Sequence, residues 1–173
     1  MSFIQNDTGS KVYAPGYFLA NNEDCTRLTK EISASHENVK TVDGGKYVPM
    51  GSIFPSNDSN ATGIIYEDVD VTTGNMPGAV VTAGTVYENR LAKTSESYDA
   101  VTPETGDSPK AKGWYERSGS SPNYTYTISS DTTVDGTKTY YAKSDVTISS
   151  AAKTALAAIG FKFETDTTVT RPY

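Results

Sequence analysis

The sequence predicts a mainly β protein, a β-rich α+β fold in which one short C-terminal helix closes a compact β core and a small β module is inserted. Three observations carry this. Between Ala61 and Leu91, runs of β-branched residues alternate with Gly, Asn and Pro, the pattern of strands joined by tight turns. Ala151–Ile159 alone switches to strong helix formers. Between Ala92 and Val146 the texture changes to short Tyr-rich runs. Neither apolar stretch holds enough surface to stand alone, so the residues between them read as an insertion rather than a linker.

After Met1, residues 2 to 10 contain Phe3 and Ile4 as their large apolar residues before Asn-Asp-Thr-Gly-Ser, and residues 1 to 10 read as an arm. Val12 to Leu19 is interrupted by the turn dipeptide Pro15-Gly16, and Asn21 to Asp24 is a polar turn. Thr26 to Ser35 reads as a strand despite the helical spacing of Leu28 and Ile32, because Thr and Ser surround them. Val39 to Val42 and Lys46 to Gly51 flank Asp43-Gly44-Gly45, a hairpin signal, with Pro49 at a strand end. Ser56 to Asn60 is a loop.

Ile64 to Val71 is expected as one strand whose alternation puts Asp68 and Asp70 on one face and Glu67, Val69 and Val71 on the other. That presents an acidic face to solvent or a partner. Asn75-Met-Pro-Gly78 reads as a turn and Ala79 to Tyr87 as the central strand, with Gly84 where a neighbour or bulge comes close. Ser149 or Ser150 caps the helix and Gly160 ends it. About nine residues are too few to persist alone, so Leu156 and Ile159 are expected to pack on the sheet.

In the insertion, Pro103, Gly106, Pro109 and Gly113 punctuate an acidic loop, and three strands follow at 113–118, 124–128 and 138–142. The division is an arm at 1–10, a core at 11–93 with 147–165, an inserted module at 94–146 and a tail at 166–173. Trp114, Tyr115, Tyr124, Tyr126, Tyr140 and Tyr141 read first as a satellite core, because the module has few aliphatic residues to bury. Their second reading is an external contact surface, since tyrosine offers amphipathic area at low entropic cost.

Twelve Tyr stand against five Phe and one Trp in 173 residues, and hydrophobic residues make up only 36%, a β-and-turn composition. A net charge of −6 with scattered Lys and Arg argues against a nucleic-acid partner. Cys25 is the only cysteine, which excludes an intrachain disulfide and a CxxC knuckle and reads as a small buried thiol. The first residues lack the pattern of a signal peptide and no run spans a bilayer, so the expectation is a soluble chain made in the cytoplasm with no membrane partner. The Asn-x-Ser/Thr sequons at Asn6, Asn57, Asn60 and Asn123 then read as polar loop chemistry.

No catalytic constellation is legible. His36 is the only histidine, and Gly106-Asp-Ser108 lacks the strand-to-helix setting of a hydrolase nucleophile. Asp68, Asp70 and Asn75, or Asn57 to Asn60, supply oxygen atoms of the kind that hold calcium, but neither set has the twelve-residue spacing and both read as solvated turns. No cofactor or metal is expected, and the chain is not read as an enzyme.

Four pieces in order, Lys46-Tyr-Val-Pro-Met-Gly-Ser52, Ala61 to Val71, Pro77 to Leu91 and Ala151 to Phe163, resemble the lambda-like head decoration (capsid cement) proteins of tailed bacteriophages. The resemblance covers about a third of the chain. It implies a non-enzymatic structural protein of the virion's outer surface, a homotrimer at three-fold and quasi-three-fold positions that binds the major capsid protein and stabilises the expanded head. It also implies that an arm, here Met1, Ser2, Phe3, Ile4 and Gln5, orders on the capsid. The roughly 55 extra residues before the helix, and 11–45, depart from the family; the insertion is expected to project outward. The alternative is an adhesin or fibre module that binds host-surface glycans through the Tyr-rich insertion.

Overall fold

The computed structural model describes residues 14–21 and 23–167. The predicted arm, including Met1 to Gln5, lies outside them. The protein is mainly β, and the chain divides into two compact units, one running to Thr94 and resuming at Thr147, the other spanning Ser95–Val146. In chain order the elements of the first unit are β1 (Thr26–Ile32), β2 (Lys40–Val42), β3 (Gly45–Val48), β4 (Ile53–Phe54), β5 (Gly63–Ile65), β6 (Val69–Asp70) and β7 (Met76–Tyr87). The second unit holds β8 (Ser95–Ala100), α1 (Pro109–Lys112), β9 (Tyr115–Ser120), β10 (Asn123–Ile128) and β11 (Tyr140–Val146), after which α2 (Ser150–Ala158) and β12 (Phe161–Glu164) complete the first.

In the first unit a five-stranded sheet is ordered β1-β7-β5-β4, with β12 pairing β7 in parallel, and a three-stranded sheet is ordered β2-β3-β6. The doublets Ile64-Ile65 and Val80-Val81 explain how the larger sheet is held. Ile64 and Val81 enter a core with Phe18, Ile53, Leu91, Leu156 and Phe161. Ile65 and Val80 enter a second core with Ile32, Val48, Val69 and Val71. Successive strand residues face opposite ways, so a strand buried on both sides reads as an uninterrupted apolar run.

Gly84 marks the exchange of partners along β7. Pairing with β1 reaches Ala83 and pairing with β12 starts at Gly84, where φ is +147° and a Cβ would sit 3.3 Å from Cys25 Cβ. Only glycine adopts that backbone readily. Cys25 itself is half-buried against the first core, less enclosed than a small buried thiol.

The turn at 43–45 forms as expected, with Asp43 and Gly44 at positive φ between β2 and β3. Three expectations are corrected. Ile64 to Val71 is not one strand: β5 ends at Ile65 and β6 starts at Val69, because the chain passes from one sheet to the other. Asn75 to Gly78 is not a turn, since β7 starts at Met76 and Pro77 lies opposite Glu31. Gly78 has no room for a side chain, its Cβ position lying 2.7 Å from Val69 Cγ2 and 2.9 Å from Ile32 Cγ1. Third, Ile159 is 47% exposed although Leu156 is fully buried. The helix ends at Ala158, and Ile159 takes a non-helical conformation at its C-cap.

The second unit is a single four-stranded sheet ordered β10-β9-β11-β8. β8, with its polar sequence SESYDA, falls outside the three expected strands, and the residues read as an acidic loop contain α1, capped by the Ser108 side chain.

Candidate interaction surfaces

Asp68 and Asp70 are both exposed and flank the buried Val69. Neither carboxylate is idle. Asp68 Oδ1 accepts the Met50 amide at 2.6 Å and Asp70 Oδ1 accepts that of Thr72 at 2.9 Å. The Thr72 side chain and then its amide hold Asp70 below the usual carboxylate range. Asp68 and Asp70 thus share exposure rather than one continuous strand, and one oxygen of each is engaged by a backbone amide.

The aromatic residues read from the sequence as a contact surface are distributed over both faces of the sheet of the insertion. Register places Tyr115, Arg117, Tyr126, Tyr141 and Tyr98 on one face. There Tyr98 stacks on Tyr126 with ring centroids 3.9 Å apart, while Tyr115 and Tyr141 approach edge-on. Arg117 lies over the rings of Tyr124 and Tyr141. Tyr124 is 39% exposed and Ile128 60%, whereas Tyr141 is 6%. Tyr98 was not legible as part of this group, because it is one aromatic residue in a polar strand.

Tyr140 is fully buried and belongs to the interior rather than to a contact surface. Its hydroxyl donates to Asp131 Oδ2 at 2.6 Å and accepts from the Asp135 amide at 3.0 Å. Lys138 Nζ lies 2.8 Å from the same Asp131 oxygen and 3.1 Å from Glu116 Oε2, and Ser129 Oγ donates to Glu116 Oε1 at 2.6 Å. The half-buried Trp114 ring sits 6.0 Å from that of Tyr140. This network fixes the loop between β10 and β11 onto the sheet. Sequence spacing carried no sign of it.

Lys138 first, then the Tyr140 hydroxyl, holds Asp131 below the usual carboxylate range. Asp131 and Glu116 raise Lys138 in return. A depressed carboxylate adds stability that is complete above its unfolded value and is lost as the pH falls through its folded value. The second unit is therefore expected to loosen below about pH 4, followed by fluorescence of Trp114, the only tryptophan. Lys138→Met should lower stability at neutral pH and flatten that acid limb; an unchanged limb would disprove the coupling.

Near the helix, Asn57 gathers distant segments. Its Nδ2 donates to Thr94 Oγ1 at 3.2 Å, and its Oδ1 and carbonyl oxygen accept from the Ser149 amide and hydroxyl at 2.8 and 2.7 Å. Ser149 Oγ also caps α2. The two points where the chain leaves and rejoins the first unit are thus tied to one side chain. Within the second unit, Ser95 pairs with Val146. Asp166, assigned from sequence to a tail, is anchored by two hydrogen bonds with Asn89 and an ion pair with Arg90, whose Nη1 also donates to the Tyr17 carbonyl.

Both ring nitrogens of His36 are engaged, Nε2 donating to the Ile53 carbonyl at 2.9 Å and Nδ1 accepting the Asn38 amide at 3.1 Å. Ser108 caps α1 and Asp107 pairs with Lys112. Among the described residues no group of three or more His, Cys, Asp or Glu side chains converges on a common point, and no helix is long and apolar enough to cross a membrane.

Comparison with protein-family models, curated proteins and solved structures finds no match.

Proposed function

We propose that the chain is a structural protein of a phage virion that binds the outside of an expanded head as a trimer, contacts the major capsid protein and stabilises the shell. One observation carries the reading. The pieces of sequence that resemble capsid cement proteins lie far apart in the chain, yet they meet in one unit, where β12 pairs with β7 and α2 packs into the same core as β5. Of the two stretches that depart from the resemblance, the inserted one forms the other unit.

Purified protein mixed with expanded heads is expected to sediment with them, and light scattering to report a trimer in solution or on the head. Failure to sediment with intact heads would overturn the reading. Excising 95–146 and joining Thr94 to Thr147 through a short glycine link is expected to preserve head binding. The pairing of Ser95 with Val146 and the Asn57 contacts to Thr94 and Ser149 bring the cut ends near one another.

The exposed Tyr124 and Ile128 on the tyrosine face of the insertion favour a second reading, an adhesin that holds host-surface glycans. Excision separates the two: under that reading cell or glycan adhesion is lost with the insertion.

A further inference from the structure

We propose that β1 is an acceptor strand, onto whose open edge an extended acidic segment of the shell protein adds; the identity of that partner rests on the head-binding reading above. β1 is a seven-residue strand that pairs only with β7 among the described residues, and its first six residues are exposed. The direction of its backbone groups follows from β7. Pro77, opposite Glu31, has no N–H to give. The carbonyl of Ala79, opposite Thr29, accepts the Tyr66 amide at 2.8 Å and so points away from β1.

Both pairs are therefore of the kind that exchanges no hydrogen bonds, and alternation adds Arg27 opposite Val81. The N–H and C=O groups of Thr29 and Glu31 point outward, with Arg27 next along the edge at the register shift between Thr26 and Arg27, and no backbone hydrogen bond reaches the three residues from outside the β1–β7 ladder among the described residues. A strand laid along this edge meets a regular row of donors and acceptors.

Side chains select what is laid there. Glu31 is already bonded by Asn75 Nδ2 at 3.1 Å, whereas Lys30 is exposed and has no ion-pair partner among the described residues. Arg27 rests on the Tyr66 ring, 4.5 Å from its centroid. In a chain of net charge −6, this edge offers cationic groups. Leu28, 50% exposed, lies beside them on the face that carries Lys30. The complement is an extended segment with acidic side chains and an apolar residue opposite Leu28. Lysine on an open edge also discourages indiscriminate strand pairing.

Thr29→Pro tests this directly, because it deletes an outward N–H that the pairing with β7 does not use and proline is tolerated on edge strands. With circular dichroism confirming a folded chain, Thr29→Pro is expected to lose roughly tenfold or more in affinity for expanded heads, while Thr29→Ala binds as wild type. Lys30→Glu leaves the backbone edge intact and is expected to weaken binding several-fold, more at low salt. Wild-type affinity in both Thr29→Pro and Lys30→Glu overturns the proposal. So does a loss confined to self-association in light scattering, which would make the occupant a second copy of this chain. A wild-type chain that ignores heads instead sinks the head-binding reading and this inference with it.

Discussion

Gly63→Ala will destabilise the first unit by on the order of 3 kcal/mol, well beyond what a surface glycine yields. A Cβ at this position falls on Val80 Cγ1 and stands 2.5 Å from the Val81 carbonyl oxygen. The valine methyl can rotate away, but the carbonyl belongs to the central strand, which pairs with β5 through Ile64 and Ile65. Moving it strains the ladder on which both cores rest. Gly136→Ala is the control, since nothing lies within 4 Å of its Cβ position; it should change stability by less than about 0.5 kcal/mol. Urea unfolding followed by circular dichroism reads both, and equal midpoints would refute the argument.

Leu156→Ala is expected to cost about 3 kcal/mol and Ile159→Ala less than about 0.5 kcal/mol, although the two residues look equivalent in sequence. Leu156 is fully buried with Phe18, Ile53, Val81, Leu91 and Phe161, whereas Ile159 is 47% exposed. The helix is nine residues long, too short to persist without tertiary packing. Loss of Leu156 should therefore also lower the helical signal at moderate urea. Similar costs at both sites would mean that Ile159 packs where it is shown exposed.

These pairs mark where local reading reaches its limit. Ser149, α2 and Gly160 were legible because caps and helix formers act through neighbours a few residues away. The hairpin at Asp43-Gly44 was legible for the same reason. Pro77 was misread because a proline beside glycine is a turn signal until a partner strand is known to lie opposite it. The strand break at Tyr66 to Asp68 was missed because alternation continues across it, Val69 and Val71 still pointing inward on a different sheet.

Of the contact residues, Tyr140 and Tyr141 looked no different from Tyr124, yet two are buried and one is exposed. Face assignment needs register, and register is a property of paired strands. The Asp131–Lys138–Tyr140–Glu116 network and the hub at Asn57 were invisible for a further reason. They join polar residues of common types that stand far apart in the sequence or in different elements, and only their convergence distinguishes them.

The sequence by itself determined the β-rich class, the single C-terminal helix with its caps and the distinct texture of the insertion, because each depends on residue type and near-neighbour spacing. Tertiary structure alone decided that Ile64 and Ile65 serve different cores, that Pro77 lies in a strand and that β1 pairs with β7 alone among the described residues. Those outcomes depend on which segments lie beside one another, and pairing between residues as distant as Thr29 and Ala79 leaves no local trace in the order of amino acids.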